Sequence, residues 1–102
     1  MKKKSSKLRK LEQNRFSILT DDLEHCYFCK RFFRDVPRDD LHEIYGGSNR
    51  QRSMKHGFVA PLCRNCHQHL FVIYQLKKIC QEEFEKDHTR EDFIEIIGKS
   101  YL

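Results

Sequence analysis

The chain has 102 residues, 38% of them hydrophobic and 34% charged, so it folds as one domain with a small core and needs a staple from a metal or disulfides. No apolar run approaches the roughly 20 residues that span a bilayer, which excludes a membrane protein. The five cysteines are odd in number and no apolar signal segment precedes them, which points to a reducing, cytoplasmic compartment and to metal in place of disulfides.

The net charge of +5 is unevenly spread. Residues 1–15 carry Lys2, Lys3, Lys4, Lys7, Arg9, Lys10 and Arg15 against the single acid Glu12, so this arm holds +6 and the rest of the chain −1. A polar basic segment without an early apolar period is expected to be flexible and to suit phosphate contacts. One boundary follows, near Phe16: residues 1–15 form the arm, and residues 16–102 form a single domain.

The first Cys-x-x-Cys pair, Cys26 and Cys29, is expected in a tight turn between short strands, followed by Phe32 and Phe33. Phe28, Phe32 and Phe33 can stack on bases, but around a metal knuckle they are expected as a miniature core. Residues 39–45 alternate partly between polar and apolar, as a half-buried strand does, and end at the turn residues Gly46-Gly47-Ser48-Asn49. Residues 58–62 form a second strand, with Pro61 at an edge position, and lead into Cys63 and Cys66. Leu70, Ile73, Leu76, Cys80 and Phe84 recur every three or four residues, one face of a helix beginning around residues 64–67. Cys80 falls on that stripe as a core thiol. Thr89 and Asp92 form a capping pair for a last helix with Phe93, Ile96 and Ile97 on its apolar face and Gly98 as its stop.

Two Cys-x-x-Cys pairs separated by 33 residues are a strong zinc signal, because each turn points two thiolates inward and zinc takes four soft donors tetrahedrally. Cys26, Cys29, Cys63 and Cys66 are therefore expected to hold one structural Zn²⁺. A thioredoxin-like redox use would need a βαβ context, which is absent. His67 directly follows Cys66 and, with four thiolates already present, is free for another metal. His42 lies on the strand before the glycine turn, and a strand–turn–strand–helix path brings His42 and His67 face to face.

The order Cys26-x-x-Cys29, then Leu41-His42-Glu43-Ile44 with Gly46-Gly47, then Leu62-Cys63-x-x-Cys66-His67 resembles the HNH nuclease family in its zinc-ribbon form. The resemblance covers roughly residues 23–70 and extends, in small bacteriophage-type HNH proteins, to the helical tail. It implies an α+β fold built on a zinc-stapled ββα-metal finger, with the basic arm before it and a helical extension after it. It also implies a divalent-metal-dependent DNA endonuclease that nicks or cuts the duplex. One divalent cation, Mg²⁺, Mn²⁺ or Ni²⁺, would sit at the scissile phosphate, and no small-molecule cofactor is called for. In one register His42 binds this cation with His67 and Glu43 is the base. In the other, His42 is the base and Leu41 leaves the ligand slot to Asp40, two residues back on the same face.

Phosphodiester hydrolysis needs a base for water and a cation against the leaving 3′ oxygen. The chain departs from the family at the middle Asn, where Phe58 stands. Asn49 is the alternative loop support, or simply a residue that tolerates a left-handed turn. Arg50 and Arg52 beside the site suit bidentate phosphate contact or a solvated loop face. His69 is a secondary metal candidate and His25 a spare donor, while His56 and His88 are expected at the surface. The rival reading is a non-catalytic zinc module that binds DNA or a protein partner through a degenerate site. A further one is an inhibitor or adaptor that uses the fold as a scaffold, with charged residues 77–92 as its surface, and the resemblance also implies a protein partner from a phage DNA-processing system.

Overall fold

The computed structural model describes residues 6–102; Lys2, Lys3 and Lys4 of the arm lie outside the described residues. The fold is α+β. In chain order its elements are α1 (Ser6–Gln13), α2 (Tyr27–Lys30), β1 (Asp40–Glu43), a 3₁₀ turn (Gly47–Asn49), α3 (Arg50–His56), β2 (Val59–Leu62), α4 (Arg64–His67), α5 (Leu70–Phe84) and α6 (Arg90–Ile97). β1 and β2 form a two-stranded antiparallel sheet with Leu41 opposite Pro61 and His42 opposite Ala60. No helix among the described residues is long and apolar enough to cross a membrane.

The arm differs from expectation. Residues expected to be flexible form α1, because the helix finds a partner: it packs on α3, where Leu11 lies with Phe16 and Met54 and Glu12 binds Arg50 at 3.1 Å. Tertiary contact stabilises a short helix that propensity alone leaves marginal.

The long helix also differs. It is two helices, broken at His69, whose backbone is extended (φ −95°, ψ 111°). The break rotates the stripe, so Leu70 is 84% exposed and Val72 takes its place in the core with Leu76, Cys80 and Phe84. Cys80 is fully buried, and burial pushes its thiol up to about 12. Gln81 is buried as well. Its amide serves as a clamp, accepting from the Tyr101 backbone N–H at 2.7 Å and donating to Ser100 Oγ at 3.0 Å. The chain end is thereby tied to α5.

The last helix follows its capping signals. Thr89 Oγ1 accepts from the Asp92 N–H, the Asp92 carboxylate accepts from the Thr89 N–H, and Gly98 closes the helix at φ 104°. The core gathers Tyr45, Phe58, Phe84 and Phe93, whose rings meet at 5.3–5.9 Å. Phe58, standing where the resemblance would put an asparagine, is fully buried at the centre of this cluster. The aromatic pair after the first knuckle is not core. Phe32 is 63% and Phe33 99% exposed, because both lie in a turn on the outer side of the cysteines.

Candidate metal centre and adjoining histidine pair

Each Cys-x-x-Cys pair sits on a one-turn helix. Cys26 precedes α2, and its N–H donates to the Val36 carbonyl at 2.7 Å, while His25 bridges Pro37. This short pairing anchors the first knuckle. Cys63 follows β2 directly and precedes α4, so the register of the sheet sets the position of the second knuckle. The Asp39 N–H, donating to the Leu62 carbonyl at 2.8 Å, extends that register to the edge of Cys63.

The four sulfurs lie within 4.8 Å of one another. Cys29 Sγ is 3.8 Å from Cys63 Sγ and 3.7 Å from Cys66 Sγ. A zinc–sulfur bond of about 2.3 Å gives a tetrahedron with an edge of about 3.8 Å. The spacing thus matches a shared cation, and the four residues are a candidate zinc site. All are free of disulfides.

Burial, then the neighbouring Cys26, pushes the Cys29 thiol up to about 11, and burial with the surrounding thiols pushes Cys66 higher still. Burial acts against Cys63 too, but the Cys66 backbone N–H and the thiols around it outweigh burial and lower it. Zinc takes the thiolate forms, so a divalent cation loading this centre would displace the thiol protons.

β1 then places His42 beside this centre. The His42 and His67 rings meet edge to face, with centroids 5.0 Å apart. The His67 N–H donates to the Cys63 carbonyl at 2.9 Å, so His67 closes the same helical turn that carries Cys63 and Cys66. His42 Nε2 is buried and has no hydrogen-bond partner among the described residues. Burial, followed by the fields of His67 and Lys77, pushes the His42 imidazole down to about 4, with Asp40 opposing. It is therefore neutral at pH 7, the form that offers a lone pair to a metal or a proton.

The other expected residues fall elsewhere. Glu43, adjacent to His42, lies on the opposite face of the strand, as alternation requires. Its Oε1 accepts from Arg50 Nε at 3.1 Å and from Arg15 Nη1 at 3.3 Å. Arg50 continues to Glu12, so one network joins α1, β1 and α3. Asn49 is not left-handed (φ −97°, ψ 6°). Its Nδ2 donates to the Ile97 carbonyl at 2.9 Å and its Oδ1 accepts from Arg52 at 3.0 Å. Lys7, Arg50 and Arg52 line one open polar cleft beside the glycine turn, while Arg9 and Lys10 are exposed on α1.

Of the remaining histidines, His25 binds Asp22 at 3.0 Å, His69 meets the Phe71 ring at 6.3 Å, and His56 and His88 lie on the rings of Phe58 and Phe84. Among the described residues, the four cysteines are the one group of three or more metal donors close enough to share an ion.

Two contributors escaped sequence reasoning. Lys77 sits in a helix stripe with no motif around it, yet its field reaches His42. Arg15 ends the arm and carries no spacing signal, yet it holds Glu43. Comparison with known protein families, characterised proteins and solved structures finds no match for this chain.

Proposed function

We propose that the chain is a zinc-stapled ββα-metal protein of HNH type that hydrolyses phosphodiester bonds in duplex DNA. The observation that carries this reading is the facing His42–His67 pair, with a neutral, unpartnered His42 Nε2, mounted on the four-cysteine centre.

In this reading Cys26, Cys29, Cys63 and Cys66 hold Zn²⁺ and fix the second knuckle against β1. His42 and His67 hold one divalent cation, Mg²⁺, Mn²⁺ or Ni²⁺. When bound, that cation supplies positive charge against the leaving 3′ oxygen and acidifies a water. Arg50, Arg52 and Lys7, clustered by the glycine turn, draw in the flanking phosphates, and the exposed Arg9 and Lys10, with Lys2, Lys3 and Lys4 before them, extend the electrostatic footprint along the duplex. Asn49 holds the intervening loop through Ile97. Glu43 enters as the anchor of Arg15 and Arg50 on the face of the strand turned from His67, so the proton of the water acidified by the cation would pass to bulk solvent.

The rival is a zinc module that binds DNA or a protein without cutting. It is favoured by the lack of any third metal donor beside the histidine pair among the described residues. One assay separates them: supercoiled plasmid incubated with protein and Mg²⁺, Mn²⁺ or Ni²⁺, beside His42→Ala and His67→Ala. Nicking by wild type that both substitutions abolish supports the nuclease. DNA binding without nicking under any of the three metals selects the module.

A further inference from the structure

An open groove of about 290 Å³ runs beside the cysteine centre. Its walls are two aromatic pairs. Phe28 and Phe32 stand on the first knuckle with ring centroids 5.5 Å apart, and His69 and Phe71 stand at the α4–α5 break. The floor is Cys29, Cys66 and Val72, and the polar groups reaching in are Arg34 and Asn65.

Three features set this groove apart from ordinary surface. Its aromatic rings are open to solvent, Phe32 at 63% and Phe71 at 59%, with Phe33 at 99% beside them. Phe33 is also held at φ 60°, a left-handed conformation that a bulky residue adopts only under constraint. The constraint is visible: the Phe33 and Arg34 N–H groups donate to Lys30 and Cys29 carbonyls at 3.0 and 3.2 Å. The turn that exposes these rings is thus fastened to a cysteine of the metal centre.

The third feature is charge. None of the groove's lining residues is acidic. Arg34 in the lining, and Arg31 and Arg64 next to Phe32 and Asn65 in sequence, form no ion pair among the described residues. An apolar slot lined by aromatic faces and bordered by free guanidiniums complements a chain of flat rings joined by phosphates. An acidic peptide would meet the guanidiniums but brings no run of flat rings for the aromatic faces.

We propose that this groove binds single-stranded DNA, with unpaired bases stacked on Phe32 and Phe71 and the backbone drawn to Arg31, Arg34 and Arg64. The proposal rests on the DNA reading above for its substrate class but not on cleavage. An enzyme acting on duplex at the histidine pair would then hold a displaced or frayed strand beside its zinc knuckles. Base–aromatic stacking of this kind tolerates any sequence, since every base has a π-face.

The test is fluorescence anisotropy of the full zinc-loaded chain with a labelled oligothymidylate, a blunt duplex and an oligouridylate, for wild type, Phe32→Ala, Phe71→Ala, Phe32→Tyr and Arg34→Ala. The substituted side chains are exposed, and equal melting temperatures check the fold. Each Phe→Ala weakens oligothymidylate binding about tenfold without changing its salt slope, Phe32→Tyr restores it, and Arg34→Ala lowers the slope by about 0.7. Duplex affinity stays within about twofold throughout.

Several outcomes overturn the groove: oligothymidylate binding no tighter than duplex, tighter binding of oligouridylate, or indifference to both Phe→Ala changes. A dimer that dissolves in Phe32→Ala and Phe71→Ala with oligonucleotide binding intact assigns the surface to a second copy and overturns it too. Plasmid nicking is read separately. Nicking with aromatic-independent strand binding sinks the groove alone, and aromatic-dependent strand binding without nicking sinks the nuclease alone.

Discussion

The Asn49 side chain donates to the Ile97 carbonyl at 2.9 Å, tying the loop behind the His42 strand to the end of the last helix. That carbonyl lies in the final turn of α6, where helical carbonyls lack intrahelical partners. Asn49→Ala is expected to cost about 1–2 kcal/mol and lower the melting temperature by several degrees. Asn49→Leu, which keeps the bulk but cannot donate, should do no better. A melting temperature equal to wild type in either variant refutes the tie.

Removal of zinc should unfold the domain rather than loosen it. Four buried thiols replace what a core of this size cannot supply, and structural zinc contributes on the order of 10–16 kcal/mol in small fingers. Metal analysis of protein purified without added metal is expected to give about one zinc per chain. Chelation or Cys66→Ser should abolish the cooperative thermal transition. Retention of a sharp transition after complete chelation contradicts the structural role.

Much of this centre was legible in the sequence, because ligand spacing is local: a Cys-x-x-Cys turn fixes two donors whatever surrounds it. The Thr89–Asp92 box and Gly98 were legible for the same reason. What escaped depends on tertiary partners. α1 forms because α3 offers Met54 and Arg50, which no window of the arm reveals. The break at His69 displaces Leu70 outward, and periodicity, blind to a one-residue kink, carried Leu70 into the core. Residue type alone assigns Phe32 and Phe33 to the core, although the cationic flanks Lys30, Arg31 and Arg34, with no apolar period, are the signal for an exposed pair. The His42–Glu43 step shows both sides at once. Strand alternation fixes that the two face apart, and only the structure shows that Arg15 and Arg50 claim Glu43.

Loss of that claim should release α1. Glu43→Gln removes the charge that Arg15 and Arg50 share in a half-buried setting, where the Glu43 side chain is 14% exposed. The expected cost is about 1–2 kcal/mol, with faster hydrogen exchange or proteolysis confined to residues 6–13. Unchanged protection in α1 shows that its apolar contact with α3 suffices.

Acid should weaken the fold partly through His56. Burial, then Lys55 and His88, lowers its proton affinity in the folded chain. The unfolded chain therefore binds more protons as pH drops, and this contribution is complete above the unfolded value of about 6.5 and lost as pH falls below it. The loss of melting temperature between pH 7.5 and pH 5.5 should be smaller in His56→Gln than in wild type. Zinc release affects both proteins alike, so the difference isolates the imidazole. An equal or larger loss in His56→Gln removes His56 from the account.

The histidine pair makes a prediction that needs no substrate. A cation held by His42 and His67 binds the folded chain and not the unfolded one, so it raises stability by about 2.7 kcal/mol at a hundred times its dissociation constant. Ni²⁺ suits imidazole donors better than Mg²⁺ does and should give the larger rise in melting temperature of the zinc-loaded protein. His42→Ala and His67→Ala should each abolish that rise, even though His42→Ala also removes a buried unpartnered nitrogen and raises or preserves the metal-free melting temperature. That opposite pair of effects, no loss of metal-free stability but loss of the metal response, is what a ligand shows and a core histidine does not. A Ni²⁺ response that survives both substitutions places the second cation elsewhere on the chain.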